Sequence, residues 1–176
     1  MAGLRQALRL LAEASAPRRG ELNAVRMFAG PMAKTADQEA LSRAQTLAQT
    51  GAPREQVWND TGWFQGADGK WRFEIDDSGS RLGDETVDRF YRNTLSGDPG
   101  PAFAGNANAM LQHQAVFDAY PDIGGRMTQL QRTDDPFTMR GDFSSDSGRI
   151  RLNAPDTATA RSGLLHETQH AIQRQE

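Results

Sequence analysis

Residues 164–173 read LLHETQHAIQ, and within them His166, Glu167 and His170 spell H-E-x-x-H. On a helix of about 100° per residue, His166 and His170 lie about 40° apart and one turn along the axis, so both imidazoles reach a common point. Leu164, Leu165, Ala171 and Ile172 supply an apolar side for burial. Two chemistries fit this spacing. In one, the histidines hold Zn²⁺ as neutral ligands and Glu167 is the base acting on water acidified by the metal. In the other, they are surface histidines with a solvated glutamate between them.

Working outward, Asp156 is placed to cap this helix, and RIRLN (149–153) before it alternates Ile150 and Leu152 against Arg149, Arg151 and Asn153. MRGDF (139–143), the turn SSDSG (144–148) and RIRLN together predict a β-hairpin. RIRLN is expected to be the strand nearest the helix and to lie at a sheet edge, where its main chain would hold an extended peptide. Two further residues bear on a metal. Glu176, six residues after His170, is a third ligand if the helix bends or ends, and otherwise a solvated carboxylate. His113, among Met110 and Phe117, is a rival ligand or a half-buried core histidine.

Farther upstream, TGWFQGADGKWRFEIDD (61–77) predicts a second hairpin, with Asp68-Gly69 as its turn and aromatic packing across it. Trp58 ends a preceding short helix. Another helix is expected from Thr35, in a capping-box pattern with Gln38, along Leu41, Ala44, Leu47 and Ala48 to the stop at Gly51-Ala52-Pro53. Leu4, Leu8 and Leu11 predict an amphipathic helix over residues 2–15, followed by a linker with a short helical piece over residues 18–34. Residues 76–105, rich in Gly, Ser, Asp and Pro, predict a long irregular excursion with one or two helical turns around Val87–Tyr91. Residues 106–120 predict one helix ending at Tyr120-Pro121, and Met127–Leu130 a strand. The sum is an α+β fold, a small antiparallel sheet with helices and the H-E-x-x-H helix at the C-terminus.

The 176 residues suit one domain with a modest core, since only 37% are hydrophobic against 17 Gly and 8 Pro. The absence of cysteine removes disulfides and thiolate metal sites, so a metal here takes His, carboxylate or water. A net charge of -3 gives no basic field for nucleic acid. The N-terminal apolar run, broken by Arg5, Arg9 and Glu13, is too short for a membrane span or an export signal.

Taken together, VWNDTGWFQGADGKWRFEIDDS (57–78), AVFDAYPDI (115–123) and LLHETQHAIQRQE (164–176) resemble the large polyvalent protein-associated domains of phages and prophages, closest to the type numbered 23. The resemblance covers residues 25–176, with residues 1–24 as a preceding helix and linker. It implies a zincin-like zinc metallopeptidase: His166, His170 and Glu176 at the metal, Glu167 as base, and a peptide or protein as substrate. The family motif runs on past the position of Glu176, so the domain reads as cut short at its C-terminus. Metzincins place a third histidine at that position, but Gln173 replaces the glycine at which their helix turns. The resemblance also implies delivery with the phage particle into the host cytoplasm. The alternative is a non-catalytic interaction module of such a protein.

Overall fold

The computed structural model describes residues 26–96, 102–133, 135 and 141–176. The expected helix over residues 2–15 lies outside them. The described chain begins with β1 (Met27–Ala29), α1 (Gln38–Gln49), α2 (Arg54–Thr61), β2 (Trp63–Gln65) and β3 (Trp71–Ile75). The strands form an antiparallel sheet in the order β1-β3-β2, with Phe28 opposite Glu74 and Phe64 opposite Arg72. The hairpin around Asp68-Gly69 is as its alternation predicts. The segment read as a linker contributes a strand instead: Met27 and Ala29 point into the core, a two-residue alternation that Gly30 and Pro31 obscure. Helix α1 starts later than expected, because the Asp37 carboxylate, not Thr35, accepts from the Ala40 N–H at 2.8 Å. Gln38, rather than closing a capping box, donates to the Pro31 carbonyl at 3.0 Å.

Next come β4 (Arg81–Leu82), α3 (Asp84–Ser96), β5 (Phe103–Asn106), α4 (Ala107–Met110), β6 (Leu111–Gln112), α5 (Gln114–Ala119) and α6 (Pro121–Gly124). Two expectations are corrected here. The excursion after Asp76 holds a helix of 13 residues, with Asp84 and Glu85 in its first turn, a Glu85–Arg89 pair at 2.6 Å, and Thr86 and Phe90 buried. The single helix over 106–120 is broken, because Leu111 turns extended and pairs with Leu82 while the Met110 carbonyl accepts from Gly83. Long-range pairing overrides the helical spacing.

The last elements are β7 (Met127–Arg132), β8 (Gly141–Phe143), β9 (Ile150–Ala154) and α7 (Thr157–Gln175). Their sheet runs β5-β7-β9-β8, antiparallel apart from the parallel pair β7 and β9, so the fold class is α+β as expected. The placement of RIRLN is corrected: β9 has neighbours on both sides, because Thr128 to Arg132 pair along it from Ile150 to Ala154. The edge beside the helix is β8.

Helix α7 lies across the core. Asp156 caps it by accepting from the Thr159 N–H at 2.7 Å, and Ala160, Leu164, Leu165, Ala171 and Ile172 are buried in one cluster with Leu130, Ile150 and Leu152. Each fully buried leucine or isoleucine is worth about 1.5–3 kcal/mol, which seats the helix firmly. Gly163 sets its height: a Cβ there would come within 2.6 Å of the Leu152 side chain. Trp63 anchors a second cluster with Leu41, Ala44 and Val57, and Phe73 packs against both. No helix among the described residues is long and apolar enough to cross a membrane.

Candidate functional site

With its inner face buried, α7 turns His166 and His170 outward, and both are exposed. Their Nε2 atoms stand 3.1 Å apart, the rings 4.6 Å between centroids and nearly perpendicular. Two nitrogens each about 2.0–2.1 Å from a tetrahedral zinc lie about 3.3–3.4 Å apart, so the pair already has close to the spacing of two shared ligands. The other nitrogen of His170, Nδ1, lies 3.2 Å from Oε1 of Gln173.

Glu167 leaves the helix on one flank of this pair and is buried, only 5% exposed, against β8. It lies over Gly141, where any Cβ would collide with the carboxylate. Burial pushes the Glu167 carboxyl above its ordinary range; His166 and His170 oppose the shift and Asp142 adds to it. Asp142 itself faces Arg151 across the hairpin at 3.6 Å. Glu167 thus combines burial, a carboxyl pKa raised by desolvation and two neighbouring imidazoles.

The opposite flank of α7 meets β1. Gln169 accepts from the Phe28 N–H at 2.8 Å and donates to the Phe28 carbonyl at 3.0 Å, so its amide mimics a paired strand. About two turns earlier, Arg161 binds the Ser80 carbonyl and hydroxyl and the Asp77 carbonyl, tying α7 to the turn before β4. An open pocket of about 580 Å³ lies between Phe28–Met32, the hairpin turn at Asp68–Arg72 and the end of α7, where Gln173 forms part of its wall.

Glu176 is placed differently from the expected third ligand. Its carboxylate accepts from the Tyr120 hydroxyl at 2.7 Å and the Met32 N–H at 3.1 Å, and the Tyr120 oxygen in turn accepts from Gly30. About 240° of helical rotation separates it from His170. Among the described residues, no three His, Asp or Glu side chains converge on one point. His113 is a core residue, 5% exposed, and its Nε2 has no hydrogen-bond partner among the described residues. Burial pushes its pKa down, with Asp77 opposing the shift.

The spacing rule found the histidine pair and Glu167. It missed Gly141, Gln169 and Gln173. A lone glycine in a strand is a signal of close approach, and MRGDF carries one. Gln169 carries no such mark, since its partner lies 141 residues away.

A model of the family described as Large polyvalent protein associated domain 23 matches residues 26–83, about a third of the chain. The match runs from β1 to the end of β4, so α7 and the histidine pair lie outside it, and the resemblance read over 25–176 is matched in this first part. No curated protein and no solved structure matches the chain.

Proposed function

We propose that this chain carries a zincin-like metallopeptidase centre of a phage or prophage polyvalent protein, with His166 and His170 as metal ligands and Glu167 as the base. The observation that carries this reading is the 3.1 Å separation of the two Nε2 atoms beside a buried Glu167. The fit to zinc covers two ligand positions. Glu176, committed to Tyr120 and Met32, does not supply a third. His166 and His170 would hold the ion, which when bound would supply Lewis acidity toward water.

The rest is the work of this chain's own side chains. Glu167, raised above an ordinary glutamate, takes the proton from attacking water and returns it to the leaving amine. The free edge of β8, next to Glu167, holds an extended peptide by main-chain pairing and takes the role first read for RIRLN.

Zinc quantified by elemental analysis, in parallel with cleavage of a broad peptide library, tests the reading. Glu167→Gln keeps the metal and loses about 10²- to 10⁴-fold in turnover, while His166→Ala loses the metal. Equal cleavage by Glu167→Gln overturns the reading, as does stoichiometric zinc without cleavage of any peptide. The second reading, a non-catalytic interaction module, is favoured by one observation: the family match ends at residue 83, before α7. Partner binding that survives metal removal would select it.

A further inference from the structure

We infer that the pocket at the end of α7 binds a small zwitterion, an amino acid or a dipeptide, with its ammonium on Glu176 and its carboxylate on Lys70 and Arg72. Four charged side chains line this space of about 580 Å³, namely Asp68, Lys70, Arg72 and Glu176, two of each sign. Arg72 and Glu176 are each fixed by their own neighbours. The Arg72 guanidinium holds the Asp68 carboxylate through two nitrogens, at 2.8 and 2.6 Å. The Glu176 carboxylate accepts from the hydroxyl of Tyr120, a buried residue, and from the Met32 N–H. It covers Gly30, where a Cβ would collide with it. The Arg72 pKa is raised first by the bond to Asp68 and further by the charge of Glu176, yet among the described residues no ion pair joins Arg72 to Glu176.

Opposite charges fixed in this way leave their remaining capacity facing the space between them. A carboxylate has about four acceptor positions, so Glu176 keeps room for a donor in the pocket. Arg72 keeps N–H donors beyond the two that Asp68 occupies, and Lys70, exposed on the hairpin turn, adds an ammonium. Because the four charges cancel, a simple anion or cation gains little from the site as a whole. A molecule charged at both ends gains at each. Trp71, Ile172 and Met32 supply apolar surface for its side chains, and the volume falls within the roughly 300–1,000 Å³ of small-molecule sites. Neither His166 nor His170 lines the pocket, so binding there does not depend on the metallopeptidase reading.

The test is titration of the ¹⁵N-labelled protein with alanyl-leucine, its N-acetyl form, its C-terminal amide and free leucine, followed by amide NMR shifts at about pH 7, where a free α-amino group is charged. Saturable shifts are expected at Gly69–Arg72 and at Gln173. Blocking either end of alanyl-leucine is expected to weaken binding about 10- to 100-fold, the loss of one charge-assisted hydrogen bond. Glu176→Gln, which keeps an oxygen for Tyr120 and Met32, removes the difference between alanyl-leucine and its N-acetyl form. Lys70→Met reduces the difference between alanyl-leucine and its amide. If Glu176→Gln does not fold, the three dipeptide forms on the parent protein decide alone. The tighter of leucine and alanyl-leucine gives the length of ligand that the pocket takes. Equal affinity for all three dipeptide forms, or no saturable shift at these residues, overturns the inference. Zwitterion binding by a protein that cleaves no peptide supports it and counts against the peptidase reading alone.

Discussion

The edges of β1 and β8 both lie against α7, and the helix treats them in opposite ways. At β1 the side-chain amide of Gln169 occupies the backbone donor and acceptor of Phe28, closing that edge to any further strand. At β8 the approach is made by a carboxylate, and the glycine beneath it offers no side chain. The strand ends its sheet, and among the described residues no strand pairs with its outer side. One helix thus protects one sheet from unwanted pairing and keeps the other open beside its acid. Edge protection is assigned to individual positions two residues apart.

The comparison breaks most severely at Gly141. Gly141→Ala places a methyl group on the Glu167 carboxylate, which must move. A displacement of about 1 Å in a catalytic group costs roughly 100-fold. On the proposed metallopeptidase reading, peptide turnover is expected to fall by that order while zinc content is unchanged. Turnover equal to the parent would mean that Glu167 works from another position.

At the closed edge, Gln169→Ala strips both partners from Phe28. Leaving buried backbone groups unpaired costs about 1–3 kcal/mol each, and water reaching this part-buried position recovers some of that. The urea midpoint is expected to drop by an amount worth about 1–3 kcal/mol, with increased self-association through β1. An unchanged midpoint would remove Gln169 from the stability of the fold.

The smallest effect sharpens the difference between the two flanks. The folded-state pKa of Glu167 is raised above its unfolded value of 4.5, so the folded state holds the proton more tightly. That preference stabilises the fold below about 4.5 and is lost as pH rises through the folded pKa. Glu167→Gln, which does not titrate, is therefore expected to be more stable than the parent at neutral pH, with the gap closing in acid. Urea titrations at several pH values check this. A gap that widens in acid would contradict the sign.

Local signals made much of this fold legible. The hairpin at 61–77 and the pairing of Gly141–Phe143 with Ile150–Leu152 were readable because alternation and turn residues lie within a few positions of one another. Helix α7 was readable from Asp156 and its apolar spacing. Where pairing is distant, the sequence misleads: Leu111 leaves a helical pattern to meet Leu82, and Ile150 gains a parallel neighbour in Thr128. At the candidate site, the histidine pair follows from helical geometry alone. The interior position of β9 and the closeness of Gly141 to Glu167 are consequences of tertiary packing, to which no local motif gives access.

The Gln169 contact also bears on the order of assembly. Phe28 belongs to the first described strand and Gln169 to the last helix, so a chain leaving the ribosome from its N-terminus exposes the outer edge of β1 until residue 169 has emerged. At about 5–20 residues per second, making the chain between them takes roughly 7 to 30 seconds. During that interval the hairpin of β2 and β3 has ample time to form and pair with β1, since hairpins close in microseconds. The three-stranded sheet is therefore born with one unguarded side, and the helix that carries the histidine pair is the element that ends its exposure.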